Sequence, residues 1–181
     1  MQAEGYARGV PMGATLPRQK EAGGAPRFWV TALKDPKNAN LDRLQIIKGW
    51  IDSSGATHEK IYDVAWSDDR VPDAQGALPP VGSTVDIETA SYTNDLGSAQ
   101  LGGVWEDPDF DPSESAFYYV RVLQIPTPRH SLYDALALGI EPAETGKEAS
   151  IQERAYTSPI WYRPESAHLG HQSSAKENDN S

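Results

Sequence analysis

The chain predicts a mainly β fold: a β-sandwich-like antiparallel domain with one short helix, an irregular N-terminal segment and a disordered C-terminal tail. Three observations carry that prediction. Short runs of aromatic and β-branched residues recur between turn signals, the spacing of a sandwich rather than of a helical bundle. Two such runs, Ala116 to Pro128 and Gln152 to Tyr162, are closed by proline, which has no N–H to give to a ladder. A hydrophobic share of 38% with 15 glycines and 14 prolines suits a loop-rich β-domain.

Taken in order, residues 1–26 read as an irregular segment or linker, because Gly9, Pro11, Gly13, Pro17 and Gly23-Gly24-Ala25-Pro26 interrupt any helix or strand. Residues 27–163 form the β-rich domain. Strands are predicted at Arg27 to Lys34, Arg43 to Ile51 and His58 to Trp66, the last two joined as a hairpin by Asp52-Ser-Ser-Gly55. In the third strand Tyr62, Val64 and Trp66 define an apolar face, and Ile61, Asp63 and Ala65 a mixed one. Ser67 to Pro80 is a polar loop. Val85 and Ile87 alternate with Asp86 and Glu88 as in a half-buried strand, and Leu101 to Trp105 is a short strand. Phe117 to Ile125 is apolar in both phases, which places it centrally in a sheet. Ser131-Leu-Tyr-Asp134 matches a capping box that opens one helix, and Gly139 supplies its left-handed stop. A last strand spans Ser158 to Tyr162, and residues 164–181 are polar enough to predict disorder.

Length and charge narrow the function. At 181 residues the chain suits one domain with a real core. A net charge of −10 opposes nucleic-acid binding, which needs clustered Lys and Arg, and opposes docking on an anionic membrane. The absence of cysteine removes disulfides, thiolate nucleophiles and Cys-based zinc sites. No apolar run has signal-peptide or membrane-spanning length, so the sequence reads as soluble without an export signal and leaves the compartment open.

Constellations for chemistry are sparse. The acidic run Glu106 to Glu114 fails as an EF-hand, since Pro112 and Tyr118 stand where glycine and glutamate are required, and it reads as a solvated turn. The histidines, His58, His130, His168 and His171, form no zinc-site spacing, so neither a metal site nor a cofactor is expected in this chain. No nucleophile elbow, phosphate loop or dinucleotide fingerprint is present. Arginines beside strand ends remain as candidates to face a substrate: Arg129, Arg154 and, more weakly, Arg43. The competing reading pairs them with Asp134, Glu153 and Asp42. Trp29, Trp50, Trp66, Trp105 and Trp161 all fall on predicted strands, where core packing explains them better than a sugar-stacking platform.

Several separate motifs carry a family resemblance: Leu41 to Trp50, Val81 to Asp86, Trp105 to Pro112, Ala116 to Val122, Ile125 to Arg129 and Gln152 to Tyr162. In that order, and from about Gly9 to Pro164, the chain resembles the C-terminal portion of the bacterial domain-of-unknown-function family numbered 3604. That family is similar to PHP-type (polymerase and histidinol phosphatase) metal-dependent hydrolases, and its members are several times longer, many looking exported. The resemblance implies that the His and Asp ligands of a divalent metal belong to a preceding domain, the expected partner of this one. It transfers no metal ligand to any position here. After Pro-Thr-Pro the matching Arg129 is the best candidate to face that absent active site, whereas His130 stands where the pattern expects an aromatic residue, usually tryptophan.

The expectation is therefore a non-catalytic C-terminal β-domain of a PHP-like hydrolase of unknown substrate. The alternative is a stand-alone carbohydrate- or protein-binding β-module; an independent hydrolase is disfavoured by the residue inventory.

Overall fold

The computed structural model describes residues 2–17 and 24–164. Along the chain these form helix α1 (Gln2–Arg8), strands β1 (Arg27–Leu33), β2 (Leu41–Ile51), β3 (Thr57–Trp66), β4 (Gln100–Glu106), β5 (Ser115–Gln124) and β6 (Thr127–Pro128), helix α2 (His130–Leu138), a 3-10 turn at Pro142–Thr145, and strands β7 (Ser150–Ile151), β8 (Arg154–Tyr156) and β9 (Ile160–Tyr162). Two antiparallel sheets stack as a sandwich. The larger has five strands in the order β3-β2-β5, with β8 and β9 sharing the far side of β5; the smaller pairs β1 with β4. A two-residue ladder joins β6 to β7.

The hairpin forms where predicted, and its turn shows why. The Asp52 carboxylate accepts from the backbone N–H groups of Ser54 and Ala56, and Gly55 takes the positive φ of 86° that closes the turn. Ladder pairing then runs from Ile51–Thr57 to Arg43–Trp66, with a bulge beside Leu44 and Gln45. That bulge corrects the expected faces of β3. Tyr62 and Val64 alternate as read, but beyond the extra residue Ala65 pairs with Leu44 and packs on the core.

Between the sheets, Leu44, Ile46, Ala116 and Tyr118 meet Phe28, Val30 and Leu101, all buried. The Phe28 ring lies 4.6 Å from Tyr118 and 5.8 Å from Trp105. A second, smaller cluster is built from Ala39, Val81 and Ile125 beneath the long β3–β4 connection. Asn40 anchors that connection by donating to the carbonyls of Asn94 and Leu96. β5, apolar in both phases, sits in the middle of the large sheet as its pattern predicts.

Four local expectations change. Val85 to Glu88 forms no strand: Asp86 and Ser91 exchange backbone bonds across a tight turn, and the Asp86 carboxylate takes the Glu88 N–H and the Thr89 hydroxyl. A local acceptor of this kind competes with a ladder. The run from Gln152 to Tyr162 is split, because Pro159 has no N–H and Thr157 bonds Val120 with both backbone and side chain. The capping box does not form. Arg129 occupies the N-cap position and Ser131 Oγ makes no hydrogen bond, since Arg129 N–H already bonds Ala149 and the helix starts two residues early; Gly139 does end it, at φ 65°.

Finally, the stretch read as an irregular linker contains α1 and is tied to the domain. Gly13 N–H donates to Pro159, Leu16 N–H to Trp161, and Trp161 N–H to Ala14, so these residues cover the outer edge of β9. The predicted disordered tail, with His168 and His171, lies outside the described residues apart from Pro164. Among the described residues no helix is long and apolar enough to cross a membrane.

Candidate functional site

The three predicted arginines have different fates. Arg43 is a structural partner: its Nε lies 3.1 Å from Asp42 Oδ2, and Nη1 lies 3.4 Å from Asp63. Asp42 is itself buried and also held by Arg70 at 2.6 Å and by Gln152 at 2.9 Å. A carboxylate removed from water needs this set of donors. Arg154 lies exposed at the start of β8, opposite Leu123. Arg129 is half-buried at the β6–α2 corner, with no side-chain partner among the described residues. Asp134, its expected partner, lies instead 3.9 Å from His130. The Arg129 Nε is shielded from solvent and has no acceptor. These three side chains are not gathered into one site.

The acidic run is in part the solvated turn that the sequence suggested, with Glu106, Asp109 and Asp111 exposed, and departs from it at Asp107. Asp107 is buried and forms a 2.7 Å ion pair with Lys48, both side chains being 2% exposed or less. Tyr118 donates to the same carboxylate oxygen at 2.7 Å, and Lys48 Nζ donates to the Asp109 carbonyl. At the surface, Asp109 accepts from Lys60 and from Tyr62, and hydrogen bonds from Lys60 and then Tyr62 hold its carboxyl below the usual range. Burial, reinforced by Asp107, pushes the Tyr118 phenol far up, and burial followed by the bond to Asp109 does the same to Tyr62. Lys48 lies on an otherwise apolar strand face, and that lone cation was the signal that an acid had to come down to meet it. The cluster fastens the loop after β4 onto the core.

His58 stacks on Trp50 at 5.1 Å between centroids and bonds Asp52 at 2.6 Å, while His130 is exposed. Among the described residues no three His, Asp or Glu side chains come together as a metal-binding group. Of the tryptophans, Trp50 and Trp105 pack against the core as expected, and Trp66 donates to the Arg70 carbonyl. Trp29 and Trp161 depart from the expectation, at 42% and 40% exposed, because strand alternation turns them away from the inter-sheet space.

Trp161 belongs to a surface that is partly exposed among the described residues. On the face of the large sheet opposite the core, ladder pairing aligns Gly49 with Phe117, Phe117 with Trp161, and Arg121 with Tyr156. Phe117 and Tyr119 lie nearly parallel, 12° apart with centroids at 6.3 Å, and Trp161 flanks Phe117 at 5.6 Å. The tip of the Phe117 ring rests on Gly49, where any Cβ would meet it at 2.3 Å. A hollow of about 670 Å³ opens at this end of the sheet, lined by Gly49, Phe117, Trp161, Thr57, Glu59 and Arg163 among others. At the opposite end a polar ladder crosses three strands: Arg121 Nε donates to Gln45, and Gln45 donates to Asp63. The sequence signal for this face was present in β5, whose aromatic residues occupy both phases and so cannot all face one core.

No curated protein and no solved structure matches the chain. The family described as "Protein of unknown function (DUF3604)" matches residues 1–164, and the chain belongs to that family.

Proposed function

We propose that this chain is a non-catalytic β-domain that supports a PHP-like, metal-dependent hydrolase domain of the same bacterial polypeptide. In this reading the divalent metal is held by His and Asp residues of that other domain, and the β-domain contributes stability and one positioned cation. The observation that carries it is Arg129. Its backbone is held on both sides, N–H to Ala149 and C=O from Leu132, and Pro128 just before it is buried. Its guanidinium nevertheless has a buried nitrogen without an acceptor. Leaving such a donor unpaired costs about 1–3 kcal/mol, which supports a partner supplied from outside these residues. A planar fork held this way suits an anionic or carbonyl-bearing group.

The test is Arg129→Lys in the full-length polypeptide, since an ammonium keeps the charge and loses the fork. We expect turnover to fall about tenfold with the melting temperature unchanged. Equal losses of activity and stability would assign Arg129 to the scaffold instead. A second reading, a carbohydrate- or protein-binding β-module, is favoured by one separate observation, the aromatic outer face with its hollow.

A further inference from the structure

We infer that the hollow on the outer face of the large sheet is a binding site for a neutral saccharide. The inference is independent of Arg129, which lies elsewhere in the fold.

The floor of the hollow is aromatic because of one glycine. Gly49 has no side chain, so the Phe117 ring lies across the neighbouring strand, with Trp161 alongside at a tilt of 53°. Aromatic faces carry partial negative charge, and the C–H bonds on one side of a pyranose ring present weak positive charge to them. Trp161, at 40% exposure, leaves ring surface open for such stacking.

The rim supplies the other half of a sugar site. Thr57 pairs with Ile51, Glu59 with Gly49, and Ser115 with Ile51, so all three side chains stand on the same face as Phe117. Arg163 lies two residues beyond Trp161 and lines the same hollow. None of these four side chains has a hydrogen-bond or ion-pair partner among the described residues. Free donors and acceptors around an apolar floor match the hydroxyls around a sugar ring. A concave volume of about 670 Å³ lies within the ordinary range for small-ligand pockets, about 300–1,000 Å³, and offers a poor seat for a flat protein surface.

Charge selects the class of saccharide. The rim carries one acid, Glu59, and one base, Arg163, on a protein of net charge −10. A polyanionic glycan would be repelled overall and would meet only one nearby cation, whereas a neutral oligosaccharide uses both rim groups as hydrogen-bond partners.

The test is isothermal titration calorimetry on the full chain with cellohexaose, xylohexaose, mannohexaose and maltohexaose, and with an oligogalacturonate as the anionic control. We expect saturable binding of at least one neutral sugar and none of the control. Affinity should fall about tenfold or more in Trp161→Ala and Phe117→Ala, and severalfold in Glu59→Gln. If Phe117→Ala does not fold, Trp161→Ala and Glu59→Gln decide, because both positions are exposed. Three results would overturn the inference: no heat with any neutral sugar at millimolar concentration, binding of the anionic control alone, or binding that Trp161→Ala leaves intact. Self-association in sedimentation velocity that Trp161→Ala abolishes, without sugar binding, would assign the face to a second copy of the chain and also overturn it.

Discussion

The two faces of the five-stranded sheet are made by alternate residues of the same strands, and they treat aromatic side chains in opposite ways. On the inner face every tyrosine hydroxyl is spoken for: Tyr118 donates to Asp107, Tyr62 to Asp109 and Tyr162 to the Pro112 carbonyl. On the outer face Tyr119 and Tyr156 have no such partner among the described residues, and Trp161 lies tilted against Phe117 with 40% of its surface exposed. One face is a closed core in which polar atoms are paired off. The other has the same residue types with their bonding capacity unspent, the property on which the proposed saccharide site rests.

The comparison can be broken most strongly at Asp107. Asp107→Ala would leave Lys48 charged and buried, and the Tyr118 hydroxyl without its acceptor. We expect a loss of about 3–5 kcal/mol in urea denaturation. Combining Lys48→Met with Asp107→Leu should recover most of that loss, since it removes both charges together; no recovery would mean that the ion pair does more than hold the loop.

On the outer face a larger side chain can be removed at smaller cost. Trp161→Ala should change stability by less than about 1 kcal/mol, because much of the ring is already in water. A loss comparable to that of Asp107→Ala would show that Trp161 is part of the core and would end the contrast.

The smallest expected effect is a pH dependence at the rim of the inner face. The Asp109 carboxyl is lowered by its bonds from Lys60 and Tyr62. A group whose folded pKa is depressed contributes stability above its unfolded value, which is lost as the pH falls through the folded one. The window therefore lies at and below the usual carboxylate range, about 3.9. Lys60→Gln should flatten the acid limb of stability against pH there, lowering stability slightly above the window and leaving it unchanged below. An unaltered acid limb would remove Asp109 from the account.

The fold was largely legible because its signals are local. The hairpin around Gly55, the central placement of β5 and the Gly139 stop follow from turn chemistry and alternation that neighbouring residues decide. The errors arose where a distant partner outbid a local preference. Ser131 lost its cap to the bond between Arg129 and Ala149, and residues 13–16 found order on the edge of β9 despite Gly13 and the neighbouring Pro11 and Pro17. Among the candidate residues, Arg43 has the Asp42 partner of the competing reading, while Phe117 was counted only as a strand former and Trp161 was assigned to core packing over a sugar-stacking platform.

By itself the sequence determined the β class, the order of most strands and the lack of cysteine chemistry, since composition and period-two patterning act over a few residues at a time. Only the tertiary structure decided which phase of each strand faces the core, because a single bulge beside Leu44 shifts every later side chain of β3 by one position. It likewise decided that Lys48 meets Asp107, that Arg129 keeps an unpaired nitrogen, and that the tip of the Phe117 ring rests on Gly49. Each of these is a contact between residues far apart in the chain, fixed by how the sheets register and stack rather than by any local preference.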